Sequence, residues 1–310
     1  MRPATSSRLA TTRTTLVSRA RGSWLVLALL LGLGAAAHAT APAPATAGAG
    51  GTSGEASDEA VWKDFIDWLP SAPVSQTPQP IFDLYRQRLV GKGATPAEAE
   101  RRLGLVLGGM RARTDGWRVM FNKIYTAPNG GFSTAPSALL VGAVGDRTPG
   151  RALDVGAGQG RNSVFLAMKG WNVTGFDISD EGLKIAQQNA KKAGVKIATV
   201  VQSLQGFDMG RGQWDLIVIT YEPAPLVSKD YVQKLVTALR PGGLIVVESF
   251  ASDAGAKQRR PVDIDPREML RAFSDLPDFR ILHFEDVVGT PEWTRDKTRL
   301  TRLVAEKRAP

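Results

Sequence analysis

The chain has 310 residues, 43% hydrophobic and 22% charged, which suits a globular fold with a buried core and argues against wholesale disorder or a multi-span membrane protein. Its formal charge is +9, but Arg2, Arg8, Arg13, Arg19 and Arg21 all precede the first acidic residue, Glu55; without residues 1–39 the excess falls to +4, too mild to point to nucleic acid. Cysteine is absent, which excludes disulfides, thiolate zinc sites, iron–sulfur clusters and a cysteine nucleophile.

The first 39 residues read as a targeting segment: an arginine-bearing, acid-free lead, the apolar run from Trp24 to Ala37, and Ala37-His38-Ala39 as a small-residue cleavage site. The run is shorter than the roughly 20 residues a spanning helix requires, so cleavage is favoured over an anchor that would hold the chain to a membrane through residues 24–37. Export, to the periplasm or beyond, is the expectation. Residues 40–57 are Ala, Pro, Gly, Ser and Thr with little else, and read as a flexible linker.

Residues 58–126 read as a helical N-terminal extension, or lid. Trp62, Phe65, Ile66 and Leu69 fall on one helical stripe before Pro70, and Ile81, Leu84, Tyr85 and Leu89 form a second before Gly91. Thr95-Pro96-Ala97-Glu98 is a capping box with proline at the first helical position, followed by the stripe Leu103, Val106, Leu107 and Met110. The aromatic, amphipathic segment from Trp117 to Tyr125 precedes the Gly/Pro-rich stretch TAPNGGFSTAP and could lie over a pocket.

Within a second domain, residues 127–310, short β-rich runs alternate with helical ones from Arg151 onward. Strands are predicted at Ala152–Val155, Asn172–Asp177, Lys196–Gln202, Trp214–Thr220 and Gly243–Phe250, and helices at about Arg161–Lys169, Asp180–Ala193 and Lys229–Leu239. Asp265 caps a further helix, and strands follow at about Phe279–Val287 and Arg299–Glu306. Alternation of this kind implies right-handed βαβ units and an α/β fold with a mainly parallel sheet covered on both faces.

The chemistry concentrates in ALDVGAGQGRNSVFLAMKG, where a buried-type strand ending near Asp154 runs into Gly156, Gly158 and Gly160 and then a helix. Glycine there permits a tight turn and a close ligand approach, and the helix offers its N-terminal N–H groups. A dinucleotide fingerprint would place glycine or alanine at position 161, where this chain has Arg161, and the carboxylate of Asp154 suits an ammonium better than a pyrophosphate. An amino-acid-bearing cofactor is therefore favoured over a dinucleotide. Asp177 ends the next strand at the distance from which an acid can bind both ribose hydroxyls, although Asp before Ser179 also fits a simple helix start.

LDVGAGQGRN, VTGFDIS, WDLIVIT and ALRPGGLIVVESF together resemble the successive motifs of class I S-adenosyl-L-methionine-dependent methyltransferases, in particular the tellurite-resistance and thiopurine types with GRN after the glycine loop. The resemblance implies a Rossmann-like seven-stranded sheet of order 3-2-1-4-5-7-6 with its last strand antiparallel. It also implies S-adenosyl-L-methionine as cofactor and in-line methyl transfer to a small-molecule acceptor. By the same resemblance Asp154, Gly156, Gly158, Gly160 and Asn162 would hold the methionine end, Asp177 the ribose, and Ile178 the adenine. Gln202 and Ser203 would flank the adenine amino group, and Thr220 would border the transferred methyl. A catalytic base is optional in such chemistry; Tyr221, Glu222 and Tyr125 are the candidates. Two other readings stay open, a cofactor-binding or sensor module without turnover and a nicotinamide-dependent oxidoreductase. His283, alone beyond the leader, has no partner set for a metal, and Lys257, Arg259 and Arg260 could steer an anion or sit on a solvated loop.

Overall fold

A computed structural model describes residues 57–72, 81–128, 132–253, 255, 263–291 and 297–309. The expectations for the leader, for most of the linker and for Lys257, Arg259 and Arg260 lie outside the described residues. Among those that are described, no helix is long and apolar enough to cross a membrane.

Seven strands form one sheet in the order β3-β2-β1-β4-β5-β7-β6: β1 Arg151–Val155, β2 Asn172–Asp177, β3 Ala198–Val201, β4 Trp214–Thr220, β5 Leu239–Phe250, β6 Phe279–Gly289 and β7 Thr298–Lys307. The first five run parallel, and β7 is antiparallel to both β5 and β6. The side-chain period of two sorts the apolar residues onto the two faces. Leu153, Val155, Ile217, Ile219, Ile245 and Val247 fill one core, and Ala152, Leu216, Val218, Leu244 and Val246 the other. This double burial is why β1, β4 and β5 read as continuous apolar runs.

Nine helices are described: α1 Asp58–Trp68, α2 Ile81–Gly91, α3 Pro96–Ala112, α4 Asp115–Thr126, α5 Ala138–Val144, α6 Arg161–Met168, α7 Asp180–Lys192, α8 Lys229–Ala238 and α9 Pro266–Ser274. The first four share a core of their own, in which Phe65 lies against Trp62, Trp68, Phe82 and Tyr85. Thr95 caps α3 through the Glu98 N–H, and Ser179, Ser228 and Asp265 cap α7, α8 and α9 in the same manner.

Three details depart from the sequence-based expectation. β3 is confined to Ala198–Val201 because it is an edge strand paired only with β2. Leu239, expected to end a helix, instead opens β5 by pairing with Trp214 ahead of a register shift, and Gly242 takes a φ of 78°. The short helix α5, capped by Ser137, leaves no signal in the sequence, because seven residues carry too little periodicity to mark a helix.

The carboxyl ends of β1, β2 and β4 lie side by side: Val155 is level with Phe176 on one side and Ile219 on the other. The chain order reverses at β1, so a crevice opens outside these ends.

Candidate functional site

β1 runs into a loop in which Gly156, Gly158 and Gly160 take φ values of 67°, 52° and 81°, all left-handed. Space is restricted at all three. A Cβ on Gly156 would collide with the Glu222 carboxylate, and one on Gly158 with the Tyr125 hydroxyl. Gly160 faces Ala186 of α7 and turns away from the crevice.

A cavity of about 440 Å³ lies over this loop, ample for a cofactor-sized molecule. Of the residues singled out from sequence, Gly156, Gly158, Asn162, Asp177, Ile178, Gln202, Ser203, Thr220, Tyr221, Glu222 and Tyr125 line it. Asp154 and Gly160 do not. Asp154 is 1% exposed and its carboxylate accepts the Ser163 hydroxyl at 2.6 Å, so it sits beneath the loop as a structural anchor and corrects the expectation that it faces a ligand.

Asp177 ends β2 at the cavity, where its two oxygens accept the N–H groups of Gly158 and Ser179, each at 2.8 Å. Each oxygen keeps one further lone pair. On the far side of Asp177, Phe176 stacks on Phe207 with ring centroids 4.1 Å apart, and Gln202 folds back so that its side-chain oxygen accepts the Ser203 N–H at 2.9 Å.

The opposite wall comes from α4, which presents Trp117, Phe121 and Tyr125 to the cavity. Asn122 clamps this helix across the end of β2: its amide donates to Asp180 at 2.7 Å and its carbonyl accepts the Ser179 hydroxyl at 2.7 Å. A Cβ on Gly182 would strike the Tyr125 ring, so Tyr125 lies wedged between α7 and the glycine loop.

The segment before α5 forms a strap held by Gln159, Arg161 and Asn162. The Gln159 amide donates to the carbonyls of Phe132 and Ser133, and its oxygen accepts the Phe132 N–H at 3.3 Å. Arg161 donates to the Ala135 carbonyl at 3.2 Å, with its guanidinium 5.8 Å from the Tyr221 ring centre. Asn162 accepts the Ser137 N–H at 3.0 Å and donates to the Thr220 hydroxyl at 2.9 Å. The Ser137 hydroxyl in turn donates to the fully buried Glu248, whose other oxygen accepts from Arg302. Phe132 is thereby set edge-on against Tyr125, with centroids 5.5 Å apart. Sequence reasoning missed Asn122, Gln159, Phe132 and Glu248, because each acts on a partner distant in the chain.

Tyr221 has a φ of 58°, the one non-glycine residue of the described set in the left-handed region. Such a backbone costs on the order of 1–3 kcal/mol and concentrates at functional positions. Its N–H donates to the Glu248 carbonyl at 2.8 Å, and the Glu222 carbonyl accepts the Ala224 N–H at 2.7 Å, fixing the turn that follows β4.

Burial, and then the charge of Asp177, push the Glu222 carboxyl up to about 8. The accessible part of this half-buried side chain faces the cavity. Burial likewise raises Asp154 to about 6 against the lowering effect of Ser163, and raises Asp177 against its backbone N–H partners. The Tyr125 hydroxyl is driven well above its ordinary value by burial, with Asp177 and Glu222 adding to it. His283 lies away from the cavity on β6, its Nε2 3.4 Å from Glu285.

Residues 152–243 match a family model described as a methyltransferase domain. The ubiquinone biosynthesis O-methyltransferase of Shewanella pealeana is 33% identical over 100 residues, covering 31% of this chain and 41% of that protein. The probable S-adenosyl-L-methionine-dependent methyltransferase TehB of Haemophilus influenzae is 30% identical over 88 residues, 28% of this chain and 30% of that protein. The matched stretch thus spans less than half the length of these curated relatives. The crystal structure of TehB from Haemophilus influenzae superposes with a TM-score of 0.49 at 19% identity, covering 62% of this chain and 67% of that one.

Proposed function

We propose that this chain, whose residues 152–243 match a family model described as a methyltransferase domain, is a class I S-adenosyl-L-methionine-dependent methyltransferase that transfers a methyl group in line to a small-molecule acceptor. The observation that carries the reading is Asp177, whose carboxylate is fixed by two backbone N–H groups at the floor of a cavity that the left-handed glycine loop keeps open.

The residues fit the cofactor. The lone pairs left on Asp177 match the two hydroxyls of a ribose, and Ile178 and Phe176 offer apolar surface beside it for a base. Gly156 and Gly158 let the Glu222 carboxylate and the Tyr125 hydroxyl sit directly on the loop, where a Cβ would displace them. Bound S-adenosyl-L-methionine supplies a methyl group already activated on a sulfonium. The protein's own task is then alignment and exclusion of water. Thr220 and Tyr221, at the end of β4, form the floor of the acceptor space. Trp117, Phe121 and Tyr125 cover it, and the strap held by Gln159 closes the side.

Isothermal titration of the chain with S-adenosyl-L-homocysteine and with NAD tests the cofactor reading; binding of NAD and not of the homocysteine derivative would overturn it. Accumulation of S-adenosyl-L-homocysteine when small aromatic and apolar acceptors are supplied tests turnover, and its absence with every acceptor would favour a binding module. The proposal extends to export through residues 1–39, which N-terminal sequencing of the mature chain from fractionated cells checks.

A further inference from the structure

The methionine end of such a cofactor carries an ammonium, and the strand-end acid expected to meet it, Asp154, is sealed beneath the loop on Ser163. Two carboxylates of the described residues line the cavity, Asp177 and Glu222. Asp177 lies on Gly158 and Ser179, at the β2 side of the loop. Glu222 lies on Gly156, at the β4 side, close enough that a Cβ there would strike its Oε2.

We infer that Glu222 is the binding carboxylate for the cofactor's ammonium, taking the place that Asp154 is too buried to fill. The inference rests on the cofactor reading above and deepens it. The backbone is built for this placement. The left-handed Tyr221, pinned through its N–H to Glu248, turns the chain sharply at the end of β4, and the short turn closed by Ala224 holds Glu222 back over the glycine loop. The cavity that Glu222 borders has apolar and aromatic walls, and the other carboxylate that lines it, Asp177, is held on the β2 side. The charged and titratable groups that act on it are Asp177 from β2, Tyr125 from α4 and Tyr231 from α8, with Arg161 beyond Tyr221. A carboxyl in these surroundings holds its proton at neutral pH, and an arriving ammonium displaces it.

The test uses the full chain and two ligands that share the nucleoside: S-adenosyl-L-homocysteine, which has the amino-acid end, and 5′-methylthioadenosine, which lacks it. Glu222→Gln should weaken the first roughly 10- to 100-fold and leave the second within about 2-fold. Calorimetry at pH 7 in buffers of different ionisation enthalpy should show wild-type chain releasing about one proton on binding S-adenosyl-L-homocysteine, and Glu222→Gln releasing none. Glu222→Asp, which keeps the charge on a shorter arm, should recover part of the loss. If Glu222→Gln binds both ligands as wild type does and only turnover falls, Glu222 acts on the acceptor and the inference is overturned. An equal loss of both ligands in a folded variant overturns it as well. Wild-type chain that binds neither ligand would instead remove the cofactor reading beneath it.

Discussion

Asp154 and Asp177 end neighbouring strands, yet one points into the core and the other into the crevice. Their environments predict different behaviour on substitution. Asp177→Ala removes the carboxylate proposed to accept from a ribose and should weaken S-adenosyl-L-homocysteine by roughly 1–3 kcal/mol, read by titration calorimetry on the folded variant. Gly158→Val should abolish binding, since a left-handed φ of 52° disfavours a β-branched residue and the new side chain would drive Tyr125 off the loop. Asp154 instead affects stability. Its folded value of about 6 exceeds the ordinary 3.8, so the native state holds the proton more tightly than the unfolded chain. Stability is therefore lost as pH rises from about 4 to about 6, by up to about 3 kcal/mol. Asp154→Asn keeps an acceptor for Ser163 and should remove that dependence. Urea denaturation at pH 4.5 and 7.5 compares the two, and an unchanged difference between them would contradict the assignment.

The elements around the cavity are held by side chains that bridge distant segments. Asn162, 2% exposed, joins the strap at Ser137 to β4 at Thr220. Asn162→Ala leaves the buried Ser137 N–H without its acceptor and the half-buried Thr220 hydroxyl without its donor, and should cost about 1–3 kcal/mol of unfolding free energy in urea, with faster amide exchange at Ser137. β1, β2 and β4 were legible because period-two alternation and double burial write themselves into local sequence. The short helix α5 was not, since its place depends on Ser137 being captured by Asn162 and Glu248. The aromatic face of α4 was legible as amphipathic, but its use as the cavity wall depends on the Asn122 clamp. Neither contact leaves a local signal, because the partners are separated by 25 residues or more.

At the scale of the molecule, α1–α4 pack around one core and the sheet supports two others. The helical core meets the site through α4, so damage there should reach the cavity while sparing the sheet. Phe65→Ala empties a fully buried position and should destabilise by about 3–5 kcal/mol, with an earlier loss of tryptophan fluorescence than of sheet circular dichroism on heating. A single coincident transition would show that the two parts unfold as one. What the sequence by itself determined is the alternation that builds the sheet, the glycine bend that opens its end, and the acid that closes β2, all of them properties of neighbouring residues. Which carboxylates reach the cavity and what covers them was decided only by tertiary structure. Side-chain direction at a strand end depends on the packing of helices and loops contributed from far along the chain, and that packing buries Asp154 while leaving Glu222 poised over Gly156.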